Sequence, residues 1–140
     1  MEVKISELQD IAKAINILGE LPIPDFDFKI KITGVFYCVK KIAGDYNAGL
    51  KVIVDKYVQK GENGMSLMNV FADGLQDFVY NDIESEKLFK AEKEILDAKG
   101  YEIFFDFTQE ELRGIDKLLA ARNSTIPASV FIFLNPLVKE

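Results

Sequence analysis

Residues 29–60 read KIKITGVFYCVKKIAGDYNAGLKVIVDKYVQK, and within them Ile32, Phe36, Val39, Ala43, Tyr46, Leu50, Ile53 and Tyr57 follow one another at alternating spacings of four and three. An α-helix completes a turn in about 3.6 residues, so this rhythm places all of them along one side of a single long rod. Such a seam needs cover along its whole edge, from elsewhere in the chain or from a second copy. The reading adopted is a self-association interface of Ile32, Phe36, Val39, Tyr46, Leu50, Ile53 and Tyr57, which makes the chain a homo-oligomer. Gly34, Gly44 and Gly49 interrupt the same rod, and each costs a helix about 1 kcal/mol relative to alanine. They imply a neighbour that comes close to the helix backbone, or a local bend.

The chain is 140 residues long and 49% hydrophobic, enough for one compact domain spanning 1–140 and too short for two comfortable ones. Its net charge of −6 is unevenly spread: residues 1–60 hold nine Lys against eight Asp or Glu, and residues 61–140 hold eight Lys or Arg against fifteen. The rod is the basic part. A phosphorylated or nucleotide signalling molecule held by Lys40 and Lys51, eleven residues apart and so nearly eclipsed on a helix, is the alternative that this pattern allows. A solvated helix face beside an acidic second half explains it equally well, and the scarcity of arginine disfavours nucleic acid.

Histidine is absent. That removes the commonest general base near neutral pH, the commonest nitrogen ligand for zinc and the usual partner of a serine or cysteine nucleophile. The one cysteine, Cys38, has no second thiol to pair with. Asp82, Glu84 and Glu86 fan around a helix rather than converging on a metal, and Asp25 with Asp27 suits a solvated loop better than an acid–base pair. The chain is therefore expected to be no enzyme and to need no cofactor or metal. The first twenty residues lack the basic and apolar regions of a secretory signal, and no apolar run is of membrane-spanning length, so a cytoplasmic protein without a membrane partner is expected.

Outward from the rod, Ser6 with Gln9 predicts a capping box opening a short helix that carries Leu8, Ile11, Ile15 and Leu18. Pro22 and Pro24 end it. Asn63-Gly64 marks a turn beyond Tyr57. Residues 65–80 are ambiguous: Leu67, Phe71, Leu75 and Phe78 suit a helix that Gly74 would interrupt, and a loop with a short strand competes. Asn81 with Glu84 predicts the start of an acidic helix running toward Gly100. Tyr101, Ile103, Phe105 and Phe107 alternate as a strand does, with a partner expected in 65–79, in 26–30 or in another subunit. Thr108 with Glu111 predicts a second capping box, stapled by Phe107 and Leu112. Pro127 then suits the first turn of a last helix through Val130, Phe131 and Leu134, against a competing strand over 130–134. The sum is an α+β fold, mainly α, with a long central helix packed with shorter helices and a small antiparallel β element.

Several of these features together, in order, resemble a family of small uncharacterised proteins encoded by tailed phages and prophages. They are the capped helix ending at Leu21-Pro22, the Lys-rich rod closing with Asp55-Lys56-Tyr57, the Gly-containing turn, the acidic helix over 81–99, the strand Tyr101–Phe107 and the ending Leu134-Asn135-Pro136-Leu137. The Asp25-Phe26-Asp27-Phe28 insert and the Phe-rich strand depart from the pattern. The resemblance implies a bacterial host cell and a non-catalytic accessory protein that binds a host or viral protein, in host takeover, anti-defence inhibition or virion assembly. It implies no catalytic residues.

Overall fold

A computed structural model describes residues 1–139. The fold is α+β and mainly α: β1 (Glu2–Val3), α1 (Ile5–Glu20), α2 (Phe26–Tyr57), β2 (Met68–Val70), β3 (Gln76–Phe78), α3 (Ile83–Ala98), β4 (Tyr101–Glu102), β5 (Phe107–Thr108), α4 (Gln109–Ala120), α5 (Ala128–Phe133), a 3₁₀ turn (Asn135–Leu137) and β6 (Val138–Lys139). The chain divides into two compact units, one built from Met1–Gly44 with the residues from Lys99 onward, the other from Asp45–Ala98. Helix α2 contributes its first part to one and its last part to the other.

The rod begins earlier than its apolar rhythm suggests because Asp25 caps it, its carboxylate accepting the Phe28 N–H at 2.9 Å. Asp25 is thus a helix cap. The buried row on α2 is Phe28, Ile32, Val35, Val39, Ile42 and Ile53. This row lies beside the expected one and shares Ile32, Val39 and Ile53 with it. Val35 and Ile42 take the positions anticipated for Phe36 and Ala43, and Phe36 is left 40% exposed.

In the first unit this row packs among α1, α4 and α5. Leu8, Ile11, Ile15 and Leu18 of α1, Leu112, Ile115 and Leu119 of α4, and Val130 and Leu134 join it in one buried cluster. Helix α1 opens two residues before the expected cap: the Glu7 carboxylate accepts the Lys4 N–H at 2.9 Å, and Ser6 already lies inside the helix. The expected strand over 101–107 keeps its alternation, with Tyr101, Ile103 and Phe107 buried and Phe104 exposed. It pairs only at its ends, and with none of the anticipated partners. β4 runs antiparallel to β1, and β5 runs parallel to β6. Thr108 then turns the chain into α4, its hydroxyl accepting the Glu111 N–H at 3.0 Å, while Phe107 and Leu112 are both fully buried as the staple requires.

In the second unit the cluster is smaller: Ile53, Val58 and Phe89 are buried, with Leu50, Val54, Tyr57, Phe78, Tyr80 and Leu96 packed on them. Helix α3 is capped by Asp82 rather than Asn81, the carboxylate taking the Ser85 N–H at 2.6 Å. Those bonds hold the Asp82 carboxyl below its ordinary pKa.

Two of the three α2 glycines face a side chain that a methyl group would crowd. A Cβ at Gly49 would stand 3.1 Å from Leu96 Cδ1, and one at Gly34 would enter the Phe105 ring, 2.8 Å from Cε2. Gly44 has nothing near it. Gly34→Ala is therefore expected to lose about 1–3 kcal/mol to displacement of the ring, more than the helix gains. In a Phe105→Leu background the same change should become neutral or stabilising, a coupling that denaturant unfolding of the four proteins measures.

Candidate binding surface

Between α2 and α3 the backbone makes a three-way junction. Gln59 N–H donates to the Val79 carbonyl at 2.8 Å, Val79 N–H to that of Leu67 at 3.0 Å, and Leu67 N–H to that of Gln59 at 2.8 Å, closing a ring. From this ring the chain leaves in two hairpins. The shorter turns at Glu62-Asn63-Gly64, with Gly61 N–H bonded to the Met65 carbonyl and Gly64 N–H to that of Gly61. The longer, β2–β3, turns at Ala72-Asp73-Gly74 with the same two bonds, Phe71 N–H to Leu75 and Gly74 N–H to Phe71. In each turn the glycine is left-handed, at φ 76° for Gly64 and 84° for Gly74. The preceding side chain locks the loop: Asn63 accepts the Met65 N–H and Asp73 the Leu75 N–H, both at 3.0 Å.

This arm is shaped by backbone bonds and turn chemistry, and its side chains contribute little to the core. Phe78 anchors its base, meeting Phe89 edge-on at 5.6 Å between centroids. Beyond that point Met65, Leu67, Met68, Val70, Phe71 and Leu75 are all exposed, Met65 at 69%, Val70 at 68% and Leu75 at 66%. These large apolar side chains are held away from the core. The only charged side chains from Gly61 to Tyr80 are Glu62, Asp73 and Asp77, all acidic.

Over residues 65–80 the competing expectation, a loop with a short strand, holds: β2 and β3 pair there and no helix forms. The signal for the arm was present as a repeat, Glu62-Asn63-Gly64-Met65 and Ala72-Asp73-Gly74-Leu75, each an Asx-Gly hairpin turn.

The seven residues expected to self-associate do not form a free edge. Ile32, Val39 and Ile53 are buried by their own chain. Leu50 and Tyr57 are half-buried on the second unit's cluster, and Tyr46 donates its hydroxyl to Asp97 at 2.6 Å. Phe36 alone stands outside, its ring edge-on to Tyr37 at 5.6 Å. The rod's greasy row is its contribution to two cores. Lys40 and Lys51 are exposed and lie in different units. Neither lines a described cleft, and Lys40 sits 5.6 Å over the Phe36 ring.

The polar side chains packed on α2 are committed to one another. Lys93 bridges to Asp97 at 2.7 Å beside the Tyr46 hydroxyl. Burial, then the Asp97 bond, raises the Tyr46 phenol above its ordinary value; at Asp97 burial works upward, but the bonds from Lys93 and Tyr46 outweigh it and hold the carboxyl low. In the first unit Lys31 bonds Glu111 at 2.7 Å and the Asp106 carbonyl at 2.9 Å. A cleft of about 470 Å³ beside it is lined by Asp25, Asp27, Phe28 and Leu118. A second, of about 360 Å³ at the foot of the arm, is lined by Asp77, Tyr80, Asp82 and Glu86. No helix among the described residues is long and apolar enough to cross a membrane.

No protein-family model matches this chain, and neither does any curated protein or solved structure.

Tyr80 sits where the arm joins its base, and burial, followed by the charge of and the bond to Asp77, pushes its phenol from 10 up to about 12. The unfolded chain releases that proton near 10 while the folded one keeps it, so stability is complete below pH 10 and falls as pH rises toward 12. Chemical denaturation across that window should show the loss, and Tyr80→Phe should reduce it, leaving what the other groups raised in the same range contribute, Tyr46 and Tyr57 with Lys56, Lys90 and Lys93.

Proposed function

We propose that this protein acts without catalysis, as an accessory protein of the phage type that binds another protein through the arm between Val58 and Asp82. The carrying observation is the set of large apolar side chains that two locked turns hold in water. A chain gains roughly 1.5–3 kcal/mol from fully burying one such side chain, and here that gain is forgone within the subunit. An apolar partner surface recovers it on binding. From Gly61 to Tyr80 the arm carries no cation, and Lys60 at its root is paired with Asp55 at 3.0 Å, which favours a partner that combines apolar and basic character. Host takeover, inhibition of an antiviral defence and virion assembly are all jobs of this kind, and the resemblance to tailed-phage proteins points the same way.

The test is a double charge substitution on the arm, Val70→Lys with Leu75→Lys. Both sites are exposed, so the thermal midpoint should stay close to that of the parent, within about 0.5 kcal/mol per site. Partners retained by the tagged parent protein from bacterial lysate should be lost. Retention of the same partners at the same yield would refute the arm as the binding element.

A further inference from the structure

The arm's chemistry has a counterpart on the chain itself. A cleft of about 380 Å³ opens between α1 and α2 in the first unit, lined by Ile15, Gly19, Glu20, Ile32, Thr33 and Phe36. Its floor is open because Gly19 has no side chain, and nothing lies within 4 Å of where one would begin. Ile15 and Ile32 form an apolar base, and the exposed Phe36 ring makes one wall. Lys29, Thr33, Phe36 and Lys40 succeed one another at spacings of four, three and four, so they share one row of the helix, with a lysine at either end of the wall. Neither lysine forms an ion pair among the described residues, and both are exposed. The opposite rim carries one carboxylate, Glu20.

We infer that the arm of one copy docks in the α1–α2 cleft of a second copy, its Phe71 tip on Ile15, Gly19 and Ile32, with Glu62 and Asp73 directed to Lys29 and Lys40. The inference rests on the reading of the arm as a binding surface and names its occupant. Charge decides between the alternatives. Arm against arm would oppose Glu62, Asp73 and Asp77 to their own copies, with Lys60 the one cation and already paired to Asp55, and an anionic lipid surface would repel the three carboxylates in the same way. Arm against cleft pairs acidic-apolar with basic-aromatic. The contact is head-to-tail: each copy presents an arm and a cleft, so assembly closes into a ring, a reciprocal pair included, or continues as a filament.

Two variants separate the halves of the contact. Phe71→Asp spoils the arm, and Gly19→Leu fills the cleft at a helical site with room for it. In sedimentation velocity the parent should form oligomers that weaken with salt, and each variant alone should be monomeric with an unchanged helical spectrum. An equimolar mixture of the two should form a heterodimer that grows no further, since one intact arm then meets one intact cleft. A monomeric parent, or a mixture that stays monomeric, would overturn the inference. A photocrosslinking phenylalanine analogue at position 71 tells this failure from the broader one. Adducts to the segment around Thr33–Phe36 of another copy support self-docking. Adducts only to a different protein overturn self-docking and leave the arm a binding surface, while no adduct to any protein overturns both.

Discussion

A helix of 32 residues standing in water gains too little from its own hydrogen bonds to be rigid, and its stability comes from what one face can bury. On α2 that face is the row from Phe28 to Ile53, and both apolar clusters of the chain include side chains from it. The arrangement constrains the rest. Positions on the row must be apolar and mostly branched, while positions opposite it are free to carry charge. Where a neighbour leans on the backbone, as Phe105 does at Gly34 and Leu96 at Gly49, only glycine fits easily. The lysines of α2 follow the same division. Lys31 and Lys56 are paired, to Glu111 and Glu92, whereas Lys29, Lys40 and Lys41 are exposed and form no ion pair among the described residues.

Lys31 shows how local and tertiary structure interlock. Glu111 closes the capping box of α4 by accepting the Thr108 N–H at 3.4 Å, and the same carboxylate takes Lys31 from α2. The ammonium also lies 5.1 Å over the Phe107 ring, whose edge packs on Phe28. A start signal written in four residues of sequence is thereby fixed to the long helix. The pair is half-exposed, so its worth lies in orientation more than in energy.

What the sequence made legible follows from the range of the interactions involved. The existence of the rod, the Thr108 box and its Phe107–Leu112 staple, and the last short helix after Pro127 were readable because each is decided within a turn or two of chain. The buried row on α2 was misplaced to its neighbour because Val35 and Phe36, and Ile42 and Ala43, are adjacent apolar pairs, and periodicity does not choose between them. The caps at Lys4 and Asp82 fell one or two residues from the readings at Ser6 and Asn81, where several candidate side chains compete. Partners of the 101–107 strand come from Glu2–Val3 and Val138–Lys139, at separations no local pattern encodes. Residues 65–80 stayed ambiguous because Leu67, Phe71, Leu75 and Phe78 match helical spacing, while the turns at Asn63-Gly64 and Asp73-Gly74 decide for short strands.

The ring of bonds joining Gln59, Leu67 and Val79 has an evolutionary corollary. The strands feeding it are themselves clamped where they leave the helices, Asn81 N–H bonding the Tyr57 carbonyl at 2.9 Å. Everything distal to that clamp is a cassette: its tips can lengthen, shorten or change residues while the helical framework keeps its register. Under the function proposed above, recognition can be rewritten there one hairpin at a time while the scaffold stays untouched.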